Sequence, residues 1–147
     1  MDEFSKEIEL KFNSRFPKWK KFGRPTEYEG VTVFEAKVPC PSGKAEELLI
    51  LDTFNEEVTV SFDAYHAHFD NFGNNDAYDD ALEFILQVTS EEWAIVSYWL
   101  DERWNGSSLL KVTELPHDNS DYPAANIIKV KSWLGNFDKE IRFSAKS

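Results

Sequence analysis

The apolar residues of this chain repeat with two different periods, and the order of those periods limits the folds it can adopt. Over residues 3–16, Phe4, Ile8 and Phe12 recur every four positions and form one apolar stripe of a helix. Pro17 ends it, because proline removes a backbone donor and restricts the residue before it. Over residues 76–89 the helical period returns through Tyr78, Ala81, Leu82, Ile85 and Leu86. Asp76, Asp79 and Asp80 fall in its first turns, where the helix dipole favours carboxylates.

Strand-length runs fill the rest. Phe34, Ala36 and Val38 share one face of a strand over Val31–Val38, and Leu48–Leu51 is continuously apolar, as in a strand covered on both faces. Val58, Val60, Phe62 and Ala64 alternate with Thr59, Ser61, Asp63 and Tyr65, which predicts one half-buried strand. Trp93–Leu100, Leu109–Leu115, Ile127–Trp133 and Lys139–Phe143 complete the set. Between them lie a basic loop over Lys18–Thr26, turns at Pro39–Gly43, Asn55-Glu56 and Gly135-Asn136, and loops at Asp70–Asn75 and Pro116–Ala124. Asn105-Gly106 is the strongest hairpin signal. Consecutive strands joined by short turns pair antiparallel. The expected fold is α+β: a mainly antiparallel sheet of about six to seven strands with two principal helices packed on it, in a single domain over residues 1–147.

Charge is distributed as unevenly as hydropathy. From Ala45 to Glu102 there is no Lys or Arg, and this run holds 15 of the chain's 27 acidic residues, while the net charge of the whole is −11. A field of one sign repels nucleic acid and anionic membrane and steers basic partners inward. One cysteine, Cys40, excludes an internal disulfide. The charged start of the chain has no apolar core of a signal peptide, and no apolar run reaches the length of a membrane span. A cytoplasmic protein is the expectation.

Catalytic motifs are sparse. On a strand, His66, His68 and Asp70 share a face with each other and, by parity, with Val58, Val60, Phe62 and Ala64. Two imidazoles and a carboxylate are a metal-binding donor set, and histidines closing the edge of a core are the structural alternative. His117 joins only through folding. Cys40 stands between two prolines with no histidine near it in sequence, so it reads as a structural thiol. Neither a glycine-rich phosphate loop nor a nucleophile elbow occurs. Basic and aromatic residues interleave over Lys18-Trp19-Lys20-Lys21-Phe22, yet so short a loop on an acidic chain reads as packing, with Trp19 and Phe22 tucked onto the core. No cofactor is expected, and an enzyme is not.

The acidic run is interleaved with aromatics: Tyr65, Phe69, Phe72, Tyr78, Tyr98, Trp99 and Trp104. Aromatic anchors within a charged rim have the composition of a protein-binding hot spot. The contact surface expected from this pattern comprises Asp63, Tyr65, Asp70, Asp79, Asp80, Glu83, Asp101, Glu102 and Trp104.

Val58–Phe69, Ala81–Leu86 with Trp93–Trp99, and Ile127–Leu134, in a small acidic chain without a catalytic motif, resemble the immunity proteins of bacterial polymorphic toxin and contact-dependent growth inhibition systems. The resemblance implies a protein that neutralises a cognate toxin domain, often a nuclease, by binding over or near its active site. A nuclease presents Lys and Arg to phosphates, so an inhibitor gains by presenting carboxylates. The partner implied is a basic protein domain, with no direct contact to nucleic acid or membrane. A metal-dependent enzyme using the His-x-His site and an acidic nucleic-acid mimic acting on a DNA-binding protein are the alternatives, and the oligomeric state is open.

Overall fold

Asp2 caps the first helix, α1 (Glu3–Arg15), by accepting a hydrogen bond from the Ser5 N–H at 2.7 Å. Ile8 and Phe12 are buried on the stripe that the sequence predicts. The computed structural model describes residues 1–43 and 47–143; Lys44, Ala45 and Glu46, where the acidic run begins, lie outside the described residues. After α1 the basic segment forms a 3₁₀ turn over Pro17–Phe22. Trp19 stacks on Phe16 with ring centroids 4.5 Å apart and reaches Phe12 and Trp133, so this loop does pack onto the core.

Five strands follow as an antiparallel meander: β1 (Gly23–Tyr28), β2 (Val31–Pro39), β3 (Leu48–Asp52), β4 (Val58–Phe62) and β5 (Tyr65–Phe69), paired in chain order. Then come α2 (Ala77–Thr89), capped by Asp76, and four more strands: β6 (Trp93–Leu100), β7 (Arg103–Lys111), β8 (Ile127–Lys131) and β9 (Lys139–Arg142). These form a second antiparallel sheet in the order β7-β6-β8-β9. The fold is α+β with two main helices, but two sheets of five and four strands replace the expected single sheet of six or seven.

Three local differences account for the change. Gly23–Tyr28, which overlaps the loop expected over Lys18–Thr26, is an edge strand; Pro25 is tolerated there because an edge leaves one side of the backbone unpaired. The expected single strand from Val58 to Tyr65 breaks at Asp63-Ala64, where Asp63 takes a φ of 52° and the chain reverses into β5. Phe62 then pairs with Tyr65, Ser61 with His66 and Thr59 with His68. The reversal puts His66 and His68 on the face opposite Val58, Val60 and Phe62, which overturns the expected parity. Finally, the hairpin β6–β7 turns at Asp101-Glu102, both at positive φ, and Asn105-Gly106 lies inside β7. There the register slips between Ser97 and Trp99, so two residues oppose Tyr98 in a bulge, with Gly106 at φ 121°. Leu48–Leu51 is covered fully on one face only: Leu49 and Leu51 are buried, Leu48 and Ile50 half-buried.

Both helices lie on the inner face of the five-stranded sheet. Ile8 and Phe12 of α1 and Ala77, Ala81, Phe84, Ile85 and Val88 of α2 close a core with Phe34, Leu49, Leu51, Val58, Val60 and Phe62. Ile95 of β6 and Trp133 of the β8–β9 connection join it. The opposite face of that second sheet forms a separate core from Ala94, Val96, Ile128 and Val130, against which Val112, Leu115, Tyr122 and Ala125 pack.

Candidate protein-binding surface

Eight of the nine residues read from the sequence divide between two places. Asp70 lies beside the start of α2, because Asn71 Oδ1 accepts a hydrogen bond from the Ala77 N–H at 2.8 Å. Asp79, Asp80 and Glu83 follow along the helix. At the other end of β5, roughly 17 Å of strand away, Asp63 occupies the β4–β5 turn. Trp104 joins Asp63 there: its indole N–H donates to Ser107 Oγ at 2.8 Å, and Ser107 in turn donates to the Ala64 carbonyl at 2.6 Å. Asp101 and Glu102 form the tip of that same β6–β7 hairpin. Tyr65 belongs to neither patch; its ring stacks on Phe84, centroids 5.7 Å apart, within the core. Asp80 is half-buried, whereas Asp79 and Glu83 face solvent.

Aromatic and aliphatic groups accompany the carboxylates in each place. Phe72, 82% exposed, projects beside the Asp70 turn, where Asp70 Oδ1 accepts from the Phe72 N–H. From Asp79 a groove of about 450 Å³ runs along α2 to the start of β6. Leu82, Leu86 and Trp93 line it with Asp79, Glu83 and Glu92. Leu86 is exposed because the buried stripe of α2 runs through Ala77, Ala81, Phe84, Ile85 and Val88, rotated from the sequence expectation. At the hairpin tips Trp104 and Leu100 are exposed. Tyr98 and Trp99 are both covered, Tyr98 by Tyr122 and Trp99 by the Lys129 ammonium, 4.3 Å from its ring centroid.

Folding also brings cations to the acidic run. Lys11 of α1 is held above its ordinary pKa, first by its hydrogen bond to Glu7, with burial opposing, and then by the fields of Glu7, Asp76 and Asp79. Lys129 and Lys131 line an inter-sheet cleft of about 740 Å³ together with Asp63. Among the described residues, however, Asp63, Asp70, Asp79, Asp80, Glu83, Asp101 and Glu102 make no salt bridge. Other acids of the run serve the fold: Glu91 accepts from the Leu134 and Asn136 N–H groups and from Ser132 Oγ, clamping the β8–β9 connection.

The His66, His68 and Asp70 trio does not assemble. No cluster of three or more potential metal ligands exists among the described residues. The two imidazoles meet edge to face at 5.1 Å, His68 Nδ1 lies 2.8 Å from Thr59 Oγ1 and 3.1 Å from Glu57, and Asp70 turns back onto its own loop. Cys40 is buried, and its thiol donates to the Trp133 carbonyl at 2.9 Å, a structural role. Glu35, Asp52 and Glu57, brought together beside His68 on the outer face of the first sheet, carry no signal in the sequence because each comes from a different strand or turn. No family model matches the chain, and no curated protein or solved structure matches it significantly.

Proposed function

We propose that this is a binding protein of the immunity class, which neutralises a basic, nuclease-type toxin domain through its acidic surface. The observation that carries the reading is the groove along α2, with Leu82, Leu86 and Trp93 as its apolar lining and, at its rim, Asp79, Glu83 and Glu92, which make no salt bridge among the described residues. An apolar centre with a polar rim is how specific interfaces are built, and carboxylates without internal partners lose no ion pair when they meet Lys and Arg. Outside the groove, Phe72 and Trp104 are further exposed aromatic groups that could anchor a partner.

Co-expression and pull-down with the C-terminal domain of the polypeptide encoded immediately upstream test this. A one-to-one complex that protects cells from that domain supports the reading. Absence of binding at low and moderate salt, with no protection, removes it.

A further inference from the structure

The outer face of the five-stranded sheet, away from both helices, carries a cavity of about 230 Å³. Register places Glu35, Asp52, Thr59 and His68 in one row across β2, β3, β4 and β5. Glu57, just before β4, adds a third carboxylate. Tyr28 and Phe54 form an aromatic wall, edge to face with centroids 4.6 Å apart, and Tyr28 stays 52% exposed. A cavity of this size admits one functional group rather than a drug-sized ligand.

The charges facing it are out of balance. Lys37 lies 3.7 Å from Glu35, and His68 lies 3.1 Å from Glu57. Asp52 is half-buried and accepts one hydrogen bond, from the Phe54 N–H at 3.1 Å, but among the described residues it has no cation within ion-pairing distance. Burial, with repulsion from Glu35 and Glu57, holds its carboxyl above the ordinary range despite the Phe54 N–H and the field of His68. A carboxylate kept partly out of water among like charges destabilises the free protein, and a bound cation relieves that.

We propose that this cavity binds a guanidinium group. A planar cation with donors only matches the carboxylate acceptors, and its face matches the aromatic wall. An ammonium satisfies the charge but not the stacking. The site shares no residue with the α2 groove or the hairpin tips, so it stands or falls apart from the toxin-binding reading.

The test is an NMR titration of the isotope-labelled full chain at low salt with ethylguanidinium, ethylammonium and uncharged ethylurea. Saturable shifts at Tyr28, Asp52, Phe54 and His68 are expected with ethylguanidinium, with a dissociation constant on the order of 1 mM for so small a group. Ethylammonium should bind more weakly and ethylurea not at all. Asp52→Asn keeps the oxygen that accepts from Phe54 but removes the charge. It should weaken binding about tenfold while raising the thermal midpoint, and Glu57→Gln should weaken binding in the same direction. A blocked arginine tripeptide separates the sources: binding comparable to ethylguanidinium assigns the cavity to an arginine of a protein, and exclusion of the peptide assigns it to a free small cation. No saturable shifts, an equal response to ethylurea, or unchanged binding in Asp52→Asn would overturn the proposal.

Discussion

Thr53 has no exposed surface, and neither does Ser5, yet both are polar. Their hydroxyls meet at 2.6 Å, and Thr53 Oγ1 also accepts from the Phe34 N–H at 3.0 Å. This pair pins α1 to the sheet through a buried contact that periodicity gives no reason to expect. Thr53→Val keeps the shape and leaves the Ser5 hydroxyl and the Phe34 N–H without their partner. A loss of about 1–3 kcal/mol is expected, read as a lower urea midpoint at unchanged slope; a wild-type midpoint would show the pair to be incidental. Lys131 is also buried and polar. Its ammonium lies 2.7 Å from Glu47, 2.9 Å from Asp138 and 3.0 Å from Ser42 Oγ. Burial alone would lower its pKa, but the two carboxylates outweigh burial and raise it above the ordinary 10.5. A lysine whose pKa is raised on folding contributes stability below its unfolded pKa and loses it as pH rises through the folded value. Chemical denaturation above about pH 10.5 should therefore show a loss of stability that Lys131→Met lacks.

At the scale of elements, the hairpins show where local reading succeeds and where it fails. Asn105-Gly106 has the better turn chemistry, yet Asp101-Glu102 makes the turn. Turning at Asp101-Glu102 pairs Trp99 with Trp104 and Leu100 with Arg103, and β7 continues to Lys111 alongside Trp93. Asn105-Gly106 is then used as a bulge opposite Tyr98, where Tyr122 donates its hydroxyl to the Asn105 carbonyl. A β-carbon on Gly106 would come 3.2 Å from that hydroxyl, in a backbone region that side chains rarely adopt. With Asp101 at φ 49° and Glu102 at φ 68°, this turn has the backbone that favours Asn-Gly. Replacing Glu102 with Gly relieves a left-handed residue and should stabilise the protein by about 0.5–1 kcal/mol. A lower melting midpoint in Glu102→Gly would mean that its side chain contributes more than its backbone strain costs.

Across the whole molecule, the acidic run is not the isolated field that its sequence describes. Lys11 of α1 feels the fields of Asp76 and Asp79 while pairing with Glu7, and Lys129 and Lys131 of β8 line the cleft beside Asp63. Among the described residues, the carboxylates along α2 and at the two hairpin tips make no salt bridge. If the α2 groove meets a basic partner, charge reversal at Asp79 and Glu83 should act mainly on encounter. Association should slow several-fold or more at low salt and depend less steeply on ionic strength. Association of the Asp79→Lys, Glu83→Lys double variant at the wild-type rate would exclude the groove as the interface.

The sequence by itself determined the two helices, the approximate position of most strands and the sign of the charge on the middle of the chain. These depend on local spacing and composition, which each segment carries within itself. Only the tertiary structure settles that the nine strands of the described residues divide into two sheets, that Val58–Tyr65 reverses at Asp63, and that His66 and His68 face away from the core. It alone brought Glu35, Asp52 and Glu57 together around one cavity. Each of these depends on which distant strand becomes a neighbour and in what register. A slip of one residue in a strand exchanges its faces, so register is settled by burial of the assembled core rather than by the local pattern.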